Sequence, residues 1–488
     1  MSRMRRAAHR PLGRLGALAL LAVLGGCTLG PDFRAPAPPA AQRYGAEPAV
    51  ASGPQAGGIA QQFPPGLAAP RWWTGFGSAT LDNWVDEGLA HNRDLQASIQ
   101  SLVALRAQLQ AQIGATELPT INGELEFARQ RTLGLPQFGP PSVLYKLYVG
   151  TVQVNYDLDL FGRRRRANEA ARAQFDVQAE ELAAARQTLA ANLVGTAIRS
   201  AALKLEVQTQ ERVAELAQQR ARLTLRRYEL GGTAHREVLD AQRAAHDAAA
   251  ALPGLRAQHE RLRHALAILL GRLPQDAPPD LEFAELRVPA NVPVAVPSEL
   301  VRARPDIRAA EAGLHAATAE VGVATASLFP DLALTASFGS ESYTRSRFLH
   351  PAAEVFGVSG ALLQPLFSGG ALLAQKRAAS AELDAALQRY ESTVLKAFGN
   401  VGDALRALDE DARALAQNEA AEAEAERFFQ ETGRRHDAGS ENILAVLASE
   451  QALQQERLAR IAGQDARLVD TASLYQAIGA PDSEVAAK

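Results

Sequence analysis

A single cysteine, Cys27, stands in the 488 residues, and the residues before it give its thiol a specific chemistry. Arg3, Arg5, Arg6, Arg10 and Arg14 form a basic stretch, Leu15 to Val23 is a short apolar run, and Leu24-Gly25-Gly26 puts small residues just ahead of the thiol. This is the pattern of an export signal over residues 1–26, cleaved so that an acylated Cys27 becomes the first residue, with an S-diacylglycerol and an N-acyl chain. The apolar run is too short to cross a bilayer as a helix. With no second cysteine, an intrachain disulfide is ruled out, and lipid is the best use of the thiol.

Other reactive constellations are missing. The sequence has no phosphate-binding glycine loop ending in Lys-Ser/Thr, no nucleophile elbow and no His-Glu-x-x-His. Gly75-x-Gly77 lacks a third glycine and reads as a turn. The nine histidines are dispersed, and His259 and His264 read as surface positions on an amphipathic helix. Neither an enzyme nor a metal site is expected, and no cofactor beyond the lipid on Cys27. A net charge of −3 argues against nucleic acid as a partner.

The elements that remain are long helices and short strands. With 22% charged and only 6% aromatic residues, the composition is that of Ala/Leu/Arg/Glu-rich helices. Residues 27–70 are rich in Pro, Ala and Gly and read as a lipid anchor and extended arm. The body is a tandem repeat, divided here as 71–280 and 281–488. Arg227-Tyr228-x-x-Gly231 recurs as Arg435-His436-x-x-Gly439, and Val238-Leu239 as Val446-Leu447, each 208 residues on. Leu160-Phe161 and Asp94-Leu95-x-Ala97 recur as Leu366-Phe367 and Asp306-Ile307-x-Ala309.

Each half predicts helix, strand, strand, long helix, tight turn and returning helix. Residues 163–230 and 369–438 contain no proline, and a continuous helix of that length reaches about 100 Å. Leu387, Tyr390, Val394, Ala397, Val401, Ala404 and Leu408 alternate three- and four-residue steps, and Ile461, Leu468 and Tyr475 repeat every seven, which is coiled-coil packing. Between the helices, Ile121, Leu125 and Phe127 alternate with Asn122, Glu124 and Glu126, and Val152, Val154 and Tyr156 with Gln153, Asn155 and Asp157. Leu332, Leu334 and Phe338, then Phe356, Val358 and Leu362, repeat the pattern, with turns expected at 131–142 and 340–353. One apolar face per strand suits either a lipid-facing barrel or a half-buried soluble sheet. Four strands are too few to close a barrel with a lumen, so a barrel has to be shared between chains. The fold class is therefore α+β, mostly α.

Leu-Gly-Gly-Cys27-Thr-Leu-Gly-Pro-Asp32-Phe, Trp72-Trp73-x-x-Phe76-Gly, Leu158-Asp-Leu-Phe161-Gly-Arg, Arg304-Pro305-Asp306-Ile307-Arg308 and Gln364-Pro-Leu-Phe367 together resemble outer-membrane efflux lipoproteins of the TolC/OprM type. The likeness runs from Cys27 to about Ala480. It implies a homotrimer with a twelve-stranded transmembrane barrel, and coiled-coil hairpins forming a periplasmic α-barrel. It also implies a periplasmic adaptor, an inner-membrane pump of the resistance-nodulation-division class, and contact with outer-membrane lipid. Thr28 is not the aspartate that holds comparable lipoproteins at the inner membrane. By the same resemblance the adaptor meets Gly231, Gly232 and Thr233 at one hairpin tip and Gly439 and Ser440 at the other. Leu444 matches a hydrophobic gate position, though a packing seam explains it equally. Glu237 and His436 match positions where a pH-sensitive contact could hold the gate. Ala445 and Ala448 stand where relatives often carry gate aspartates, which puts an aspartate selectivity ring in doubt. Pro305-Asp306 should start a helix, and Trp72 and Trp73 should pack the arm on the body. Arg163 to Arg166 oppose the helix dipole and call for either lipid phosphates or salt bridges. A type I protein-secretion conduit and a structural coiled-coil lipoprotein are the alternatives.

Overall fold

The structure, a computed structural model, describes residues 28–41, 43–45, 52–133 and 142–479. Cys27 and the export signal lie outside the described residues. Two helices, α1 (Ala79–His91) and α2 (Arg93–Glu117), lead into β1 (Thr120–Leu133) and β2 (Ser142–Leu158). The long α3 (Arg163–Glu229) and the returning α4 (His235–Leu269) complete the first half. The second half repeats this order: α5 (Pro297–Ala303), α6 (Pro305–Ala326), β3 (Asp331–Ser342), β4 (Glu354–Leu363), α7 (Ala371–Asp437) and α8 (Ile443–Ile478). Both long helices, α3 and α7, have 67 residues. Among the described residues no helix is long and apolar enough to cross a membrane.

The chain divides into two compact units. One holds the segment ending at Pro36, Leu102–Val177 and Ala310–Tyr390, and so all four strands. They form one antiparallel sheet in the order β1-β2-β3-β4. The central pair joins the two repeats, with Tyr148 opposite Ser342 and Leu158 opposite Leu332. The first turn is shorter than the sequence suggested. The ladder continues through Arg131 and Thr132 to Leu133 opposite Ser142, because alternation outlasts the point where charge begins. In the second turn, β3 runs on to Ser342 before a 3-10 turn at Arg345–Arg347.

The other unit holds Ala37–Ser101, Gln178–Ala309 and the chain from Glu391 on. Its coiled-coil seam is where the heptads put it: Val394, Ala397, Val401, Leu408, Ile461, Leu468 and Tyr475 are buried. Pro305 opens α6 as expected. His259 departs from expectation. It is half-buried, with its ring nitrogen 2.9 Å from Asp280.

The arm is docked, beginning with the tryptophan contact expected of it. Trp72 stacks on Tyr475 at 4.9 Å. Arg467, fully buried on α8, donates to the carbonyls of Ala56 and Ile59 and to Gln61 Oε1. A buried guanidinium needs such acceptors, because stripping its water without replacing them costs several kcal/mol, on the order of a broken buried ion pair. Nearby, burial pushes the Asp411 carboxyl up to about 7, helped by a hydrogen bond and repulsion from Asp470. Burial likewise pushes Asp465 up to about 6.

An acid whose pKa is raised on folding stabilises the fold while it is protonated. That contribution is complete below about pH 4 and is lost as pH rises through the folded values. Thermal melting of the assembled protein should therefore fall in midpoint between pH 5 and pH 8, and Asp411→Asn should flatten part of that fall. Identical pH dependence in wild type and variant would show that Asp411 is not the source.

Candidate functional site

Register sorts the strand residues into two faces, and exposure decides what alternation alone left open. Ile121, Val154, Ala336 and Val358 form one cross-sheet row, and Val152, Phe338 and Phe356 belong to the next. The opposite face carries rows such as Asn122-Gln153-Ser337 and Thr120-Asn155-Thr335-Ser359. A soluble sheet would cover the apolar face. Here Leu125 and Val358 are each 85% exposed and Phe356 is 81% exposed. The wet face carries hydrogen-bonded side chains, Gln153 to Asn155 and Thr335 to Asn155. Aromatic residues mark both rims. Phe127 and Tyr148 lie 4.9 Å apart at one, and Phe161 stacks on Phe329 at 5.0 Å at the other.

At the helical end of the sheet, salt bridges account for the arginine run. Arg163 pairs with Asp331, Arg164 with Asp157 and Arg165 with Asp159. Arg166 reaches Asp32, Glu169 and the Leu29 carbonyl. Carboxylates at strand ends, with Asp32 and Glu169, thus offset the repulsion of four cations from the helix dipole, and no lipid phosphate is needed here. Phe33 stacks on His315 at 4.4 Å, and His315 pairs with Glu169. Burial alone would raise the Glu169 pKa, but hydrogen bonds from His315 and Arg166 hold it below the usual carboxylate range. Gly30 passes so close to Gly322 that a Cβ would strike its backbone. The motif after Cys27 is therefore a docking element, which composition could not reveal.

The tips are built alike. Gly231 and Gly439 sit at φ +74° and +76°, a left-handed conformation that favours glycine. Their N–H groups donate to Tyr228 and His436 carbonyls at 2.8 and 2.9 Å. Thr233 hydrogen-bonds Glu237, and Ser440 Oγ donates to the Arg435 carbonyl at 3.0 Å. Asn442 caps α8 through the Ala445 N–H. Leu444, in the first turn of α8, is half-buried. His436 and Glu237 do not meet within one chain: His436 Nδ1 lies 2.9 Å from the Glu441 carbonyl, and Glu237 is taken by Thr233. Tip closure uses both side chains locally. Towards the tips the two hairpins are joined by Arg212 on α3, whose Nε and Nη2 reach Glu450 on α8 at 2.8 and 2.6 Å. Arg220 adds a bond to Gln451 at 2.8 Å. Pairs 238 and 231 residues apart leave no local signal.

The family model for outer membrane efflux proteins matches this chain twice, over residues 84–272 and 296–480. The chain belongs to the outer membrane efflux protein family. It is 30% identical over 420 residues to the pyoverdine export outer membrane protein OpmQ of Pseudomonas putida, covering 85% of this chain and 88% of that relative. It is 30% identical over 491 residues to outer membrane protein OprJ of Pseudomonas aeruginosa, covering 96% of each. The solved outer-membrane channel OprN is 28% identical with a TM-score of 0.81, covering 93% of this chain and 99% of that one.

The efflux-family motifs now have physical roles. Besides the arm and the arginine run, Arg304 of Arg-Pro-Asp-Ile-Arg holds the Asp306 carboxylate and the Ala477 carbonyl, tying the start of α6 to the end of α8. As an outer-membrane protein, this family member turns its uncovered apolar face to lipid.

A charge at mid-strand on that face costs about 2–4 kcal/mol. Val358→Arg should therefore fail to insert into vesicles, while Ser337→Arg, on the wet face one row away, should insert like wild type. Heat-dependent gel mobility of the reconstituted protein distinguishes them, and equal insertion of both would refute the assignment of faces.

Proposed function

We propose that this chain is the outer-membrane channel-tunnel of a tripartite efflux system, passing small solutes delivered by an inner-membrane pump through a periplasmic adaptor. The observation that carries it is the uncovered apolar face on a sheet whose outer strands, β1 and β4, pair on one side only. Backbone groups on an open edge cannot be left unpaired in hydrocarbon. Pairing β4 of one chain with β1 of the next satisfies both edges, and three chains give a twelve-stranded barrel. An acylated Cys27 would add a tether. The relatives' names, which cite pyoverdine export and antibiotic and toluene efflux, favour small solutes over secreted protein.

The chain supplies a path and a gate, with energy coming from the pump. The tips, at Gly231, Gly232, Thr233, Gly439 and Ser440, are the adaptor surface. Leu444 narrows the resting pore, where a hydrophobic constriction excludes water without a plug. The Arg212–Glu450 bridge holds the hairpins together in that state, and any contact of His436 with Glu237 would form between neighbouring chains. Conductance of the purified protein in planar bilayers, with restored drug resistance in a strain lacking its own channel, tests the reading as a whole. A trimer that inserts but never conducts would end it.

Two substitutions probe the parts. Proline at both 231 and 439 cannot reach positive φ and removes the N–H that each turn uses. Gly231→Pro/Gly439→Pro should insert and conduct yet confer no resistance, and normal resistance would remove the tips from the mechanism. Leu444→Ser should raise single-channel conductance and sensitise cells to large antibiotics. Unchanged conductance would assign Leu444 to the packing seam.

A further inference from the structure

Cations at the two ends of the sheet are treated differently. At the helical end each of four arginines has a carboxylate. At the far end, Arg129, Arg131, Lys146, Arg345 and Arg347 are all exposed, and among the described residues none has an ion-pair partner. Register assigns the first three to a face. Phe127 is opposite Tyr148, Arg129 opposite Lys146 and Arg131 opposite Leu144, so they continue the apolar face beyond its aromatic rim. Like charges directly opposed across two strands destabilise the pair unless an anion lies with them.

The other two arrive from the β3–β4 connection. Arg345–Arg347 is a 3-10 turn leading into Phe348. The Phe348 ring lies 6.3 Å from Tyr148, and its carbonyl accepts from Ser340 Oγ. Tyr148 and Ser340 both belong to the apolar face. The connection is thus folded against the lipid side, with an arginine immediately before the phenylalanine that anchors it. The strand carboxylates Glu124, Glu126 and Glu341 are on the wet face and cannot neutralise the cluster. Glu354 is the one carboxylate on the apolar face among the described strand residues, against five cations.

We propose that this cluster binds the phosphate groups of a phosphorylated glucosamine lipid in the outer leaflet. The proposal rests on the channel reading above, which turns the far end of the sheet outward. Level and charge call for headgroup phosphate, and five cations spread over two strands and a neighbouring connection call for a headgroup with more than one. A cationic cluster one to two residue pairs beyond an aromatic rim, about 7 Å per pair of residues along a strand, is at headgroup height, where acyl chains end and phosphates begin. Arg suits the site because its planar fork takes phosphate oxygens two at a time. The lipid's acyl chains would lie against Leu125, Phe127 and Phe338.

The test uses the full assembled protein in detergent and measures affinity for diphosphorylated lipid A, the same lipid without phosphates, phosphatidylglycerol and inorganic phosphate. Wild type should prefer diphosphorylated lipid A over the other three. Each cation near a charged membrane surface contributes about 1 kcal/mol, so Arg129→Gln and Lys146→Gln should each weaken that affinity about fivefold. Arg345→Gln/Arg347→Gln serves as a second variant that leaves the strands untouched and, removing two cations, should weaken it about thirtyfold. Unchanged affinity in these variants would overturn the proposal. So would equal binding of the dephosphorylated lipid or of phosphatidylglycerol, or displacement by inorganic phosphate at comparable concentration. Conductance in phosphatidylcholine bilayers, expected to match wild type in every variant, reports separately on the channel itself.

Discussion

A backbone amide in hydrocarbon has nothing to bond to but another backbone group, and the sheet is organised by that requirement. Ten to seventeen residues per strand are enough to cross a bilayer at a tilt, and internal register satisfies every ladder but two. The outer edges of β1 and β4 stay unpaired within one chain, and on the channel reading proposed above copies of the same chain cover them. Side-chain choice follows from the same requirement. Because the ladder fixes which residues face which way, a period of two is enough to give one surface to lipid and the other to water. The helices answer a different need. They bond within themselves, so they can run long through an aqueous compartment, with their apolar seams turned inward.

Charge is handled according to what surrounds it. Arg163 to Arg166 stand where the helix dipole is unfavourable, and strand-end carboxylates and Asp32 neutralise them. Arg467 has lost all its water and recovers three acceptors from the arm. That exchange converts a proline- and glycine-rich segment into a fixed part of the body: removing the guanidinium would leave Gln61 Oε1 without its donor and the Ala56 and Ile59 carbonyls with only their mutual backbone bonds. The Asp411–Asp470 pair nearby is tolerated because one partner can keep its proton.

What could be read from the chain alone was whatever repeats at short range. Heptads placed Val394, Ala397 and Val401 in the seam, absence of proline set the long helices nearly to the residue, and glycine located both turns. The 208-residue offset exposed the duplication. Partners far apart in sequence were invisible. Nothing near Arg212 points to Glu450, and nothing in Leu29-Gly30-Pro31-Asp32-Phe33 announces that it docks on Arg166 and His315. Alternation could not choose between lipid and a protein core, because both bury the same side chains. Only the uncovered face distinguishes them. For His436 and Glu237, correspondence to relatives gives a position and not the partners taken within one chain, the Glu441 carbonyl and Thr233.

The β2–β3 pairing also fixes an order of events as the chain emerges. Asn155 meets Thr335 across 180 residues, whereas α3 and α4 are joined by a turn of a few. Local contacts close quickly and distant ones wait for the chain between them. The first helical hairpin can therefore form as soon as it is exported, while β1 and β2 remain a lone two-stranded ribbon, which is marginal in water. Until Asp331–Ser342 follows, half of the future barrel is an apolar hairpin with no sheet to join. Delivery to the membrane must bridge that interval, so the wait for the second repeat is an aggregation-prone stage in making this protein.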